Sequence, residues 1–215
     1  VSLATRLLSA NPGAQVTTAL TGALTTPGAK GAFSNFSESF ESIATVTISS
    51  ATSGNQVNTI AFNSIPQTFK HLQLRGIARD TWTASGVGEF YIYPNSSTGV
   101  YTDHWIFGDG GGNVPTASVL TARSDGAFMG AMIRGGVSSY PNTFASFVID
   151  IVDYSESNKF KSLKSMAGSD YNGGGGAIFQ TATLLQQAPI TSLNITANGY
   201  GFARYSHFAL YGIKG

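Results

Sequence analysis

The stretch "GFARYSHFALYGIKG", Gly201 to Gly215, decides the fold, because it reads as a strand with no polar side. One parity carries Tyr205, His207, Ala209, Tyr211 and Ile213, and the other carries Phe202, Arg204, Ser206, Phe208 and Leu210. A half-buried strand alternates apolar and polar residues, so that one face meets the core and the other meets water. Two apolar faces place a strand in the middle of a sandwich or beneath a second chain. Phe208 and Leu210 share the parity of Phe202, with the small Ser206 leaving room for a facing ring, and are expected in the core. Tyr205, His207 and Tyr211 combine rings with polar tips, the composition enriched at apolar yet hydrogen-bonded interfaces, and are expected near another chain.

Working back from this strand, alternation recurs in short runs. "HLQLRGIAR" sets Leu72, Leu74, Gly76 and Ala78 inward against His71, Gln73, Arg75 and Arg79 outward. "SIATVTIS" (Ser42–Ser49), "EFYIYP" (Glu89–Pro94), "TFASFVIDIVDY" (Thr143–Tyr154) and "ITSLNITANG" (Ile190–Gly199) repeat the pattern, the last with Leu193, Ile195 and Ala197 inward. Ser53-Gly54-Asn55, the Gly110–Asn113 run and Asn198-Gly199 supply turns between strands, and Ser64 to Lys70 is expected to make one helical turn. Many short strands without a long helical period predict an all-β fold, a jelly-roll-like antiparallel β-sandwich over residues 41–215.

Residues 1–40 differ. Ser2 is placed to cap a short helix through Leu3, Leu7 and Leu8, stopped by Asn11, Pro12 and Gly13. Small residues follow, with scattered Leu20, Leu24 and Phe33 and the Pro27-Gly28 break. Such a segment is too poor in large residues for a core of its own and too apolar for a solvated linker. It is expected to be an extended N-terminal arm that anchors the sandwich to a neighbouring subunit or shell.

Composition narrows the function. Of 215 residues, 42% are hydrophobic and only 11% charged, against about 25% charged in an average domain. A surface with so few charges has little electrostatic protection against association, which favours burial by neighbouring subunits. The net charge of +1 gives no field to attract nucleic acid. Lys159, Lys161 and Lys164 form the only basic cluster, and Asp150, Asp153 and Glu156 are expected to neutralise it. No run approaches the roughly 20 apolar residues of a membrane span. The chain has no Cys, so neither disulfides nor thiolate metal sites hold it.

Catalytic motifs are missing. "DYNGGGGA" (Asp170–Ala177) lacks the Lys-Ser/Thr that completes a phosphate loop and reads as a hairpin tip. Asp109 in "FGDGGGNVP" (Phe107–Pro115) offers only a weak calcium position. His71, His104 and His207 show no zinc spacing. The four Glu residues, Glu38, Glu41, Glu89 and Glu156, present no pair suited to glycoside hydrolysis. Neither an enzyme nor a cofactor is expected. The aromatics Trp82, Tyr91, Tyr93, Tyr101 and Trp105 form the one candidate ligand set, since flat rings stack on sugars such as a host surface glycan.

"FESIATVTI" (Phe40–Ile48), "FNSIPQTFKHLQLRGIAR" (Phe62–Arg79), "FVIDIVDYSESNKFKSL" (Phe147–Leu163) and the terminal "YSHFALYGIKG" together resemble a family of small virion structural proteins of tailed phages of marine bacteria. The likeness covers residues 40–215 and the preceding "TTPGAKGAF" (Thr25–Phe33), with "LYGIK" (Leu210–Lys214) its most distinctive element. The resemblance implies a non-catalytic β-sandwich in the virion, assembled in the host cytoplasm as a homo-oligomer, a trimer or pentamer. Capsid decoration or cement, with the major capsid protein as partner, is one place for such a protein. A tail fibre or host-adhesion module is the other.

Overall fold

The alternating runs named above correspond to six strands, and the computed structural model, which describes residues 39–51, 56–109, 116–123 and 126–215, shows these with six more and how they assemble. The arm residues Leu3, Leu7, Leu8, Leu20, Leu24 and Phe33, the expected helix after Ser2, and the turns at Ser53–Asn55 and Gly110–Asn113 lie outside the described residues. Among the described residues there are twelve strands: β1 (Phe40–Thr47), β2 (Thr59–Phe62), β3 (His71–Ala78), β4 (Val87–Pro94), β5 (Tyr101–Gly108), β6 (Thr116–Arg123), β7 (Ala127–Ile133), β8 (Ala145–Val152), β9 (Lys161–Asp170), β10 (Gly175–Leu184), β11 (Leu193–Ala197) and β12 (His207–Ile213).

Eight strands form one sheet in the order β1-β12-β3-β8-β9-β10-β5-β6, and four form the other in the order β2-β11-β4-β7. Setting aside the hairpins β5–β6 and β9–β10 leaves two four-stranded sheets, in which β1 neighbours β12, β2 neighbours β11, β3 neighbours β8 and β4 neighbours β7. That is one long antiparallel hairpin rolled into two layers. The protein is a jelly roll. Its two extra hairpins extend one edge of the larger sheet.

The layers close on aromatic rings. Phe90 of β4 meets Phe147 of β8 edge-on at 4.9 Å, and Phe208 of β12 lies 4.9 Å from Phe202 and 5.4 Å from Phe147. All four rings are buried, as are Leu72, Leu74, Ile92, Ile149, Leu193, Ile195 and Leu210. Gly130 of β7 stands opposite Phe90, where a Cβ would fall 2.0 Å from the ring. The cross-layer aromatic packing therefore requires a residue without a side chain there. The register between β4 and β7 shifts at the same level, between Phe90 and Tyr91.

Two local expectations are corrected. Ser64–Lys70 makes bends rather than a helical turn. Pro66 disfavours the helical conformation at Ile65 and Ser64 has a positive φ of 53°, while Gln67 Nε2 donates to the carbonyls of Ile65 and Ile190, both at 2.9 Å. This fixes Phe69 against Gly212, where a Cβ would lie 2.3 Å from its ring. Arg79 does not point to solvent: it follows the buried Ala78 and is itself buried. Its guanidinium donates to the carbonyls of Gly135, Val137, Tyr140 and Thr143 at 2.9–3.0 Å. Alternation ends at Ala78 because the next residue serves as a pin for the β7–β8 connection.

Candidate functional site

The inner face of the large sheet packs on the core; its outer face is a grid fixed by strand register. Across the sheet, Ala209, Arg75, Val148, Met166, Phe179, Ile106 and Ala117 stand side by side on β12, β3, β8, β9, β10, β5 and β6. Four consecutive members of this row are large, apolar and exposed: Val148 at 38%, Met166 at 65%, Phe179 at 44% and Ile106 at 53%. Strands spaced about 4.8 Å apart make this a continuous apolar band roughly 15 Å long between its end residues. Solitary exposed apolar residues are ordinary, whereas a contiguous band marks an interaction site.

Rows on either side frame the band. One carries Ser146, Gly168, Ala177 and Gly108, all small, which leaves a trough of about 680 Å³ alongside Val148, Met166, Phe179 and Ile106. The other carries Tyr211, Gln73, Asp150, Lys164, Thr181 and His104. Here Gln73 Nε2 donates to Asp150 at 2.6 Å, Arg75 Nε donates to Gln73 Oε1, and the Arg75 guanidinium lies 5.7 Å from the Tyr211 ring. The face thus holds one apolar row bordered by one small-residue row and one polar row.

Sequence reasoning misses this band. Its signal is a local inversion of parity: Ser165 and Gln180 share the inward parity of Leu163 and Ile178, while Met166 and Phe179 sit opposite them. Ser165 and Gln180 are buried, and Ser165 Oγ and both Gln180 amide atoms have no hydrogen-bond partner among the described residues.

The terminal strand separates as its parity suggests. Phe208 and Leu210 are fully buried, whereas His207 and Tyr211 are half-buried on the outer face. Tyr205, 55% exposed, lies in the turn leading into β12, with the Arg204 guanidinium 4.5 Å from its ring centre. His207 Nδ1 is 2.8 Å from Thr47 Oγ1. These three residues therefore occupy or adjoin the face that carries the apolar band.

The aromatic set does not assemble. Trp82 is stacked at 4.8 Å on Tyr200, their planes 8° apart, and the Arg134 guanidinium lies 3.8 Å from its ring centre. Stacked on one neighbour and covered by another, this indole is committed to packing. Tyr91 is buried, with its hydroxyl 3.3 Å from Glu89 Oε2, and Asn198 Nδ2 donates to that hydroxyl. Tyr101 is fully buried and donates to the Ser97 carbonyl at 3.1 Å, and burial pushes its phenol well above the usual range. Tyr93 and Trp105 are half-buried against the core, on strands of different sheets. Bulky rings in a sandwich went to packing.

The expected charge cluster forms at the β8–β9 turn. Asp153 pairs with Lys159 at 2.8 Å and Lys70 at 3.3 Å, and Lys70 pairs with Glu156 at 2.7 Å. Hydrogen bonding from Lys159 holds the Asp153 carboxyl below its ordinary range, and bonding from Lys70 does the same for Glu156. Lys161 departs from the expectation. It is fully buried, its ammonium donating to the carbonyls of Glu156, Lys159 and Gln187, and burial lowers its pKa. Lys164 instead stands beside Asp150 on the outer face.

"DYNGGGGA" is a hairpin tip between β9 and β10, in which Asp170 Oδ1 accepts from the Asn172 amide at 2.8 Å. Among the described residues no group of three His, Cys, Asp or Glu side chains is placed to hold a metal. No protein-family model, curated protein or solved structure matches the chain.

Proposed function

We propose that this chain is a non-enzymatic structural component of a tailed-phage particle, and that it assembles through the outer face of its large sheet. The observation that supports assembly is the exposed row Val148, Met166, Phe179 and Ile106 on a chain with only 11% charged residues. Covering this row removes apolar surface from water at about 25 cal/mol per Å². The place in the virion rests on the resemblance of the four quoted segments and the terminal "LYGIK". Capsid decoration or cementing is the place we favour, with residues 1–40 as the arm that anchors the assembled sandwiches to the major capsid protein.

The test uses purified particles and the full-length chain. Antibody against the sandwich should label heads in negative-stain images, and Met166→Asp should prevent the chain from joining particles without lowering its melting temperature. Labelling confined to tails would move the protein to a fibre. A Met166→Asp chain that joins particles as the wild type does would refute the docking face.

A further inference from the structure

We infer that the outer face of the large sheet pairs with the same face of a second copy, about a two-fold axis running parallel to the strands between β8 and β9. This pairing rests on the docking face proposed above and names its occupant. The face is complementary to itself. Rotation about that axis sets β8 over β9 of the other copy, β3 over β10, and β12 over β5. Positions that share a row in the grid are then brought together. Asp150 meets Lys164, Val148 meets Met166, and Arg75 meets Phe179. Ile77 meets Ala177, Ala209 meets Ile106, and Tyr211 meets His104.

Each contact occurs twice, and no like charges are opposed. The acidic Asp150 meets the basic Lys164, and the cation of Arg75 meets the ring of Phe179, an arrangement attractive in its own right. Shifting the axis by one strand separates the charge pair: an axis at the β9–β10 boundary would set Met166 over Phe179 and Val148 over Ile106, but Asp150 over His104 and Lys164 over Thr181. At the β3–β8 boundary it would set the charged Arg75 over Val148 and Asp150 over neutral Gln73, and Lys164 would face Tyr211. The stacked sheets keep their strand directions aligned, which is how two sheets ordinarily pack at about 10 Å.

The area suffices. Six strands about 4.8 Å apart and three rows two residues apart span about 600 Å² of each face, on the order of 1,200 Å² in total, the lower end of the range for specific interfaces. A ring of three or five subunits needs two different patches that complement each other, whereas a patch that complements itself closes at two. At this face a two-fold pair therefore replaces the trimer or pentamer that the family resemblance implies.

A charge-reversal set tests it, read by sedimentation of the full-length chain over a concentration series. The wild type should form dimers. Asp150→Lys alone and Lys164→Asp alone each oppose like charges at both symmetry-related positions, and each should weaken dimerisation on the order of tenfold or more. The double reversal should restore it, because opposite charges again face each other. Met166→Asp, at an exposed position, should abolish dimers without touching the charge pair. A chain that is monomeric at every concentration overturns the inference, as does a dimer that ignores the single reversals or is not rescued by the double one. A monomeric chain whose Met166→Asp variant still fails to join particles assigns the face to another virion protein, so that this inference falls and the proposed function stands. Dimers that respond to the reversals while Met166→Asp joins particles normally uphold the two-fold pair and remove the face from particle assembly.

Discussion

Phe208→Ala is the sharpest test of how the jelly roll is held together. The ring is fully buried and surrounded by Phe202 at 4.9 Å, Phe147 at 5.4 Å and Phe90 at 6.2 Å. Truncation removes transfer energy and leaves a cavity, together about 3–5 kcal/mol for Phe→Ala in a core. The upper half of that range applies here, because collapse is obstructed. The surrounding rings are stiff, and Gly76 is so tightly enclosed that a Cβ there would lie 2.7 Å from Phe147. For a domain of this size each kcal/mol lowers the melting temperature by about 2–4 °C, so a loss of roughly 8–20 °C is expected. The matched control is Tyr211→Ala, three residues on and of opposite parity, where a half-buried ring leaves the outer face and the change in stability should stay below about 1 kcal/mol. Thermal melting and the urea midpoint, with an unchanged slope against denaturant, measure both. Equal losses for the two variants would refute the assignment of faces, and so would a Phe208→Ala loss of only a few degrees.

Arg79→Met keeps the length of the side chain but removes the donor shared by four carbonyls between Gly135 and Thr143, of which those of Val137 and Tyr140 keep the amides of Tyr140 and Thr143. It should cost about 2–6 kcal/mol, about 1–3 for each of the two carbonyls left without a donor, with hydrogen exchange rising first in residues 134–144; unchanged exchange there would count against the pin. Asp153 and Glu156 have depressed pKa values in the folded chain, so their contribution is complete above the ordinary carboxylate range and is lost as pH falls through the depressed values. Replacing Lys159 and Lys70 by Met should return both carboxyl titrations, followed by NMR, to ordinary values and flatten the acid limb of stability against pH. Asp80, raised by burial, has the opposite sign and should titrate unchanged in that variant.

Legibility in the sequence tracked the physical origin of each feature. Strand parity comes from local alternation, so β3, β8 and β11 could be read directly, with Leu72, Leu74, Ile149, Leu193 and Ile195 all buried as alternation demands. Strand order depends on pairings between residues more than a hundred positions apart, such as Ile213 with His71, and no local pattern carries it. Arg79 was misplaced because alternation has no means of recognising a guanidinium that finds four carbonyls. The aromatic set failed for a related reason. Proximity in sequence suggested one cluster, yet Tyr93 and Trp105 fall in different sheets. His207 and Tyr211 lie on the parity opposite Phe208 and Leu210, a division that alternation alone decides.

The terminal strand is less apolar on its outer side than its composition suggests, and the stronger two-sidedness lies on other strands. On β12 the outer parity holds His207, Tyr211 and a nearly covered Ala209, so its apolar character is moderate. The added hairpins carry the larger anomaly. At one level of β9, β10 and β5, the inward positions are Ser165, Gln180 and Trp105, and the outward positions are Met166, Phe179 and Ile106. Burying an unpaired polar group costs about 1–3 kcal/mol, and exposing Phe or Met forgoes a comparable gain. A chain needing only to fold alone would do better with those residues exchanged between the faces. Neighbouring levels fix the parity, since Leu163, Ile178, Ala182 and Leu184 face inward and a one-residue slip would expose all four. An arrangement that lowers the stability of the single chain at one level, and there presents a continuous apolar row, is accounted for when that row is covered by another protein surface.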